Sequence, residues 1–127
     1  AGIPAGLDPL HKAHRIQDRV SGVGFDWADA TGALEKVQEE VGEVKDALAH
    51  EEFPRLEEEL GDLLFAVVNL VRLAGSHSET ALEHANRKFS RRFQRLETMA
   101  AEMDISVPEA TLEVLDQIWD EVKIEEG

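Results

Sequence analysis

Residues 34–70 decide the fold, and they read LEKVQEEVGEVKDALAHEEFPRLEEELGDLLFAVVNL. In the first half, apolar residues recur at steps of three and four, as in an amphipathic helix: Leu34, Val37, Val41, Val44 and Leu48. A second stripe follows and runs slightly past the stretch: Leu56, Leu60, Leu63, Val67, Leu70 and Ala74. A short connection over residues 50–53 separates the stripes, and Pro54 then opens the second helix. Helices joined so closely are expected to pack as antiparallel neighbours.

The sequence before this stretch predicts one further helix. Asp8-Pro9 marks its start, with proline at the first helical position, and Gly22 ends it. The helix that carries the first stripe is expected to begin near Asp29 or Thr31, because short polar side chains cap helix N-termini.

After Gly75 ends the helix with the second stripe, two more helices are expected. Ser76 with Glu79 matches a capping box for the fourth helix, and Ser106 with Glu109 matches one for the last. No run alternates apolar and polar residues with β-branched enrichment, so no strand is predicted. Residues 1–127 are therefore expected to form a single all-α domain, a bundle of about five helices.

Composition narrows the function classes. The chain has 27 acidic and 13 basic residues, a net charge of −14, which argues against a general nucleic-acid or anionic-membrane partner. It has no cysteine, which excludes disulfides, thiolate metal sites and cysteine nucleophiles. The longest uncharged run, residues 63–71, is too short to span a bilayer, and the N-terminus does not resemble a signal peptide. A cytoplasmic location is expected.

Two pairs of carboxylates lie on the predicted hairpin. Glu40 and Glu43 are one turn apart on the first helix, as are Glu59 and Asp62 on the second. In an antiparallel hairpin, residues whose numbers have equal sums lie at about the same height; Glu43 with Glu59, and Glu40 with Asp62, both give 102. Four such carboxylates resist ionising together unless a hard divalent cation, Mg²⁺ or Mn²⁺, lies between them. The alternative is a solvated acidic face.

Gly42 and Gly61 each lie inside one carboxylate motif. Because a glycine in a helix interior costs about 1 kcal/mol relative to alanine, a close backbone approach at this level is expected. Leu64, Val68 and Val71 add a second apolar face to the third helix, so its C-terminal half is expected to be buried on most sides, in part by a second copy of the chain.

Five of the thirteen basic residues lie within nine positions: Arg87, Lys88, Arg91, Arg92 and Arg95. Lys88, Arg92 and Arg95 share one helix face, where they could bind phosphate oxygens. Alternatively, they pair with surface carboxylates on neighbouring helices.

Phe25 and Trp27 are two of only seven aromatic residues, and they lie in the predicted turn after Gly24. An aromatic side chain on a loop could stack on a nucleobase, or could fasten the second helix to the core. The five histidines form no Glu-x-x-His motif and are interpreted as structural or surface residues.

Taken together, these motifs resemble MazG-type nucleoside triphosphate pyrophosphohydrolases, of the all-α NTP pyrophosphatase superfamily. The family signature EExxE followed by ExxD is matched by Glu39-Glu40-Val41-Gly42-Glu43 and by Glu59-Leu60-Gly61-Asp62, the latter continuing into Leu63-Leu64-Phe65. The resemblance extends over nearly the whole chain, from Ile16-Gln17 to Trp119-Asp120-Glu121-Val122-Lys123. It is strongest to the C-terminal domain of two-domain bacterial MazG proteins, so the chain is either a single-domain member or one half of such a protein.

The resemblance implies a MazG-like dimeric or higher assembly and Mg²⁺-dependent hydrolysis of NTPs or dNTPs to NMPs and diphosphate, often as house-cleaning of nucleotide pools. The implied metal ligands are Glu40, Glu43, Glu59 and Asp62. Glu39 is the implied residue for orienting or deprotonating water, although the helical wheel places it about opposite the apolar stripe. The implied substrate-binding residues are Lys88, Arg92, Lys36 and Trp27.

Two other classes stay open on the sequence. One is a metal-binding protein without nucleotide chemistry, although a di-iron bundle would require Glu-x-x-His motifs, which the chain lacks. The other is a non-catalytic helical module that dimerises through its apolar stripes and retains only the fold.

Overall fold

The computed structural model describes residues 8–127, which form five α-helices and no strand. The elements are α1 Pro9–Ser21, α2 Ala30–Ala49, α3 Phe53–Leu73, α4 Ser78–Glu102, a 3₁₀ turn at Val107–Glu109, and α5 Leu112–Glu126. The prediction of an all-helical fold with about five helices is confirmed. Within the described residues no single helix is long and apolar enough to cross a membrane, although α3 and α4 reach that length and composition together as a bent pair.

The predicted starts of α1 and α2 are confirmed. The carboxylate of Asp8 accepts a hydrogen bond from the backbone N–H of His11, and Asp29 accepts two, from Thr31 and Gly32. These bonds satisfy N–H groups that have no partner within the helix.

Both predicted capping boxes are wrong. Ser76 closes α3 instead of opening α4: its N–H bonds to the carbonyl of Val71 while Gly75 adopts φ +88°, a Schellman turn. Ser106 precedes only the 3₁₀ turn and makes no side-chain cap. The cap of α5 is Thr111, whose hydroxyl accepts from the N–H of Val114.

The first of two compact units extends to Ala81, and its centre is the antiparallel hairpin of α2 and α3. The buried apolar side chains on these two helices are small or branched: Ala33, Ala47, Ala66 and Val68. α1 packs against α3, and its buried His14 stacks on the ring of His77 with 3.9 Å between centroids. Small side chains allow close approach of the helix backbones, which brings the carboxylates of the hairpin within reach of one another.

The second unit, Leu82–Gly127, contains the remainder of α4, the 3₁₀ turn and α5. Its core is a cluster of four buried residues: Leu96, Ala100, Ile118 and Val122. Met99, Val114 and Trp119 pack around this cluster and are partly buried.

One expectation about the hairpin is wrong, and another is met only in part, for the chain that the structure describes. A Cβ added at Gly42 or Gly61 would meet no heavy atom within 4 Å, so nothing in the described chain approaches these glycines closely. The second apolar face of α3 is only partly buried within this chain, since Val68 is buried and Val71 half-buried but Leu64 is 60% exposed, and its burial by a second copy stays a prediction. The physical reason is that α3 packs against α1 and α2, which cover only part of its surface.

Candidate metal and nucleotide site

The α2–α3 hairpin brings three of the four predicted metal ligands together. One carboxylate oxygen from each of Glu40, Glu59 and Asp62 lies within 4.8 Å of the others. Glu40 is buried, at 8% exposure, whereas Asp62 is exposed. We call these three residues the acidic group. Oxygen ligands at this spacing match the donors that Mg²⁺ and Mn²⁺ prefer.

The electrostatics of the acidic group favour a cation. Partial burial, followed by the negative charges of Glu43, Asp62 and Glu40, raises the pKa of the Glu59 carboxyl above its ordinary value. A carboxyl is harder to ionise when it is withdrawn from water and surrounded by like charges. A divalent cation would remove both penalties, so the residues present fit a magnesium site.

Glu43, the fourth predicted ligand, is not part of the acidic group. Its Oε2 accepts a hydrogen bond at 3.1 Å from the guanidinium of Arg55, which also donates to Asp46 at 2.8 Å. Sequence reasoning missed Arg55. The sum of 46 and 55 is 101, close to the 102 of the predicted carboxylate pairs. The same equal-sum rule, here called the height rule, could therefore have predicted that Asp46 and Arg55 lie opposite each other, nearer to the turn.

Lys36 and Glu39 lie on α2 beside the acidic group. The Lys36 ammonium is 3.2 Å from Glu40 Oε1 and 3.5 Å from Glu39 Oε2, and its hydrogen bond with Glu40 raises the pKa of Lys36. The Glu39 side chain is 62% exposed and its carboxylate lies outside the acidic group. The side chains of Glu39 and Glu40 thus share Lys36 as an ion-pair partner.

A cavity of about 750 Å³ opens next to the acidic group, within the first unit. Glu40, Asp62 and Lys36 line it, together with Phe25 and Trp27 from the α1–α2 loop. The Trp27 ring lies against Gly32, where an added Cβ would be 3.4 Å from Cε3, while 45% of Trp27 stays exposed. The same aromatic side chain is therefore fastened to α2 and open to the cavity, so the two interpretations of this loop are compatible.

An ion-paired arginine holds this loop in place. The guanidinium of Arg72 donates to Asp26 Oδ1 at 2.7 Å and to Asn69 Oδ1 at 2.6 Å, and Asp26 also accepts from the N–H of Trp27. The hydrogen bond from Arg72 lowers the pKa of Asp26. Sequence reasoning missed this function of Arg72 and Asn69. They are the only polar residues between Leu63 and Ala74, which is the signal that could have identified them.

The predicted phosphate-binding residues Lys88 and Arg92 lie on α4 in the second unit. Arg92 Nε donates to Glu126 at 2.6 Å, and Arg95 makes a two-pronged contact with Glu125 at 2.7 and 2.9 Å. Lys88 is exposed and forms no ion pair with any residue that the structure describes. As the surface-pairing alternative predicts, Arg91, Arg92 and Arg95 pair with carboxylates of α5, whereas Arg87 pairs with Glu83 on α4 itself.

Comparison with known proteins agrees with the fold and with the motifs. Residues 30–97, which include α2, α3 and both carboxylate motifs, match the MazG nucleotide pyrophosphohydrolase domain. The chain is 42% identical over 128 residues to nucleoside triphosphate pyrophosphohydrolase of Escherichia coli K12, covering 98% of this chain and 48% of that protein.

A second relative is the nucleoside triphosphate pyrophosphohydrolase/pyrophosphatase MazG of Thermotoga maritima, 44% identical over 114 residues, which are 90% of this chain and 44% of that protein. A more distant match covers 54% of the chain and 14% of the uncharacterized protein YabN of Bacillus subtilis, at 41% identity. The chain spans about half the length of the first two relatives or less. The domain match, which covers more than half of the chain, shows that this chain belongs to the MazG nucleotide pyrophosphohydrolase family.

Proposed function

We propose that this chain is a Mg²⁺-dependent nucleoside triphosphate pyrophosphohydrolase that converts NTPs or dNTPs and water to NMPs or dNMPs and diphosphate. The observation that carries the proposal is that two members of the acidic group, Glu40 and Asp62, lie in the wall of a cavity that aromatic side chains also line. The names of the E. coli and T. maritima relatives support the same reaction. A cavity of about 750 Å³ falls within the usual size range of small-molecule sites.

The proposed metal ligands are Glu40, Glu59 and Asp62, with Glu43 as a fourth ligand once Arg55 releases it. When bound, Mg²⁺, or Mn²⁺ in its place, would act as a Lewis acid on phosphate oxygens and lower the pKa of a bound water. The chain supplies the oxygen donors, and Glu40 presents its carboxylate from a buried position, which fixes one ligand in place.

Other residues of the chain would bind and orient the nucleotide. Trp27 offers an aromatic face to the base from the cavity wall, and Lys36 brings a positive charge beside Glu40. Lys88 and Arg92 would hold phosphate oxygens, for which Arg92 must exchange its contact with Glu126. Glu39 is the proposed residue for orienting or deprotonating the attacking water, because it is the remaining carboxylate of the first motif.

The wider setting is part of the same proposal. Residues 1–127 act as one MazG-like domain in a cytoplasmic homodimer or higher assembly, with no nucleic-acid or membrane partner. The exposed Leu60 and Leu64 of α3 support association with a second copy. Removal of unwanted nucleotides is the proposed role, since an aromatic wall discriminates weakly among bases.

The test is diphosphate release with Mg²⁺ from a panel of the eight canonical NTPs and dNTPs. We expect release by the wild type and a loss of roughly 100-fold or more in Glu40→Gln, because a ligand to the cation is removed. Glu35→Gln is the matched control, an exposed carboxylate on the same helix, and should retain activity.

Unchanged release by Glu40→Gln would contradict the site. If the wild type releases no diphosphate and Mg²⁺ does not change its melting temperature, the non-catalytic helical module becomes the better description.

A further inference from the structure

Arg55 is surrounded by carboxylates at the edge of the acidic group. Its guanidinium nitrogens lie 2.8 Å from Asp46, 3.1 Å from Glu43, 3.6 Å from Glu52 and 3.8 Å from Glu59. Two of these four partners, Glu43 and Glu59, are proposed metal ligands. The positive charge of Arg55 therefore lies beside the position that the proposed function gives to a divalent cation.

Two carboxylates of α2 hold the guanidinium of Arg55 in this position. Asp46 and Glu43 are one turn apart on α2, so each accepts from one terminal nitrogen of the planar guanidinium. The side chain starts in the first turn of α3 and crosses to α2, and it is 31% exposed. A contact made by two terminal nitrogens with two carboxylates restricts the guanidinium more than a single ion pair does.

This contact explains why only three of the four motif carboxylates meet. The distance of 3.1 Å from Glu43 Oε2 to Arg55 commits that carboxylate to the arginine, while the other three lie within 4.8 Å of one another. For Glu43 to join the acidic group, its carboxylate must leave Arg55.

We propose that Arg55 is a positioning residue that lowers the affinity of the acidic group for Mg²⁺, because its guanidinium occupies Glu43 and repels the incoming cation. The inference rests on the proposed function, which supplies the metal. Without Arg55, Glu43 is free to bind the metal and the site gains one unit of negative charge. A unit charge and a divalent charge roughly 6 Å apart in a water-like medium repel by an amount equivalent to about a tenfold change in affinity.

The experiment measures Mg²⁺ binding by calorimetry, with no nucleotide and at low ionic strength so that screening is weak. We expect Arg55→Gln to bind Mg²⁺ about tenfold more tightly than the wild type. Arg87→Gln is the matched control, since among residues 8–127 that arginine pairs only with Glu83 on α4, and the Mg²⁺ affinity of this variant should equal that of the wild type. The double variant Arg55→Gln/Glu43→Gln should lose most of this gain in Mg²⁺ affinity.

Equal or weaker binding by Arg55→Gln would overturn the inference and leave the proposed metal site standing. If Mg²⁺ binds to none of the proteins, the metal site is overturned and the inference with it. A second measurement needs no substitution: in the wild type, Mg²⁺ should shift the resonance of the Arg55 Nη2 protons, because that nitrogen donates to Glu43. A resonance that stays in place at saturating Mg²⁺ would also overturn the inference.

Discussion

Replacing Gly61 with alanine should stabilise this protein. Gly61 lies in the middle of α3, and the structure places no heavy atom within 4 Å of the Cβ that the substitution adds. Glycine in a helix interior is about 1 kcal/mol less favourable than alanine, because the unfolded chain loses more backbone freedom on folding. Since the added methyl group meets no obstacle, nothing in the described chain offsets this gain.

The same reasoning gives the matched substitution and the size of the effect. Gly42 occupies the corresponding place in α2 and has equally open surroundings. Each alanine should raise the free energy of unfolding by about 1 kcal/mol, and a change of that size raises the melting temperature of a 127-residue chain by about 3–5 °C. Thermal unfolding followed by circular dichroism, together with urea titration, measures both quantities.

A loss of stability in Gly61→Ala would refute this reasoning. It would mean that another backbone does approach the glycine, as the sequence alone suggested. The melts should be repeated over a range of protein concentrations. A gain that disappears as the concentration rises would place a second copy of the chain against this face of the hairpin, since association makes the melting temperature depend on concentration.

Two further predictions concern His14 and Arg72. Burial lowers the pKa of His14 from its ordinary value of 6.5, so the unfolded chain takes up this proton at a higher pH than the folded one. The contribution of His14 to the free energy of unfolding is therefore present above about pH 6.5 and is lost as the pH falls. In urea titrations from pH 7.5 to 5, the free energy of unfolding of His14→Gln should fall less steeply with pH than that of the wild type. Equal slopes would contradict this prediction. Arg72→Met removes the 2.7 Å contact with Asp26, so the Trp27 amide should exchange its hydrogen about tenfold faster or more, whereas an unchanged rate would show that Arg72 does not hold the loop.

The sequence predicts the helices well because their signals are local. The apolar periodicity of α2 and α3 and the caps at Asp8 and Asp29 each depend on neighbouring residues, and both helices and both caps are present in the structure. The stripe of α2 is not its buried face, however, since Leu34, Val41 and Leu48 are exposed. The false capping boxes also follow local patterns. Ser76 fails because Gly75 closes the preceding helix first, and that competition is decided by the backbone hydrogen bond from Ser76 to Val71.

The site was only partly predictable because its details depend on side chains from different helices. The height rule predicts that Glu40, Glu59 and Asp62 can meet, and they do. However, the rule does not distinguish among residues at the same height, so it does not predict that Glu43 pairs with Arg55 instead of joining the acidic group. The arrangement of Arg72 around Asp26 joins residues 46 positions apart, which no local pattern records.

The turn between α2 and α3 has a consequence for the whole site. Residues 50–52 separate the two helices, and Glu51 adopts φ +53° so that the N–H of Glu52 can bond to the carbonyl of Ala47. An insertion or deletion here that changed the register of α3 against α2 by one residue would slide α3 by about 1.5 Å and turn it by about 100°. The carboxylates of α3 would then rotate away from Glu40, although no side chain of the site had changed. The length of this turn therefore determines how the two motifs align. An insertion or deletion in the turn would disable the site without replacing any of its carboxylates.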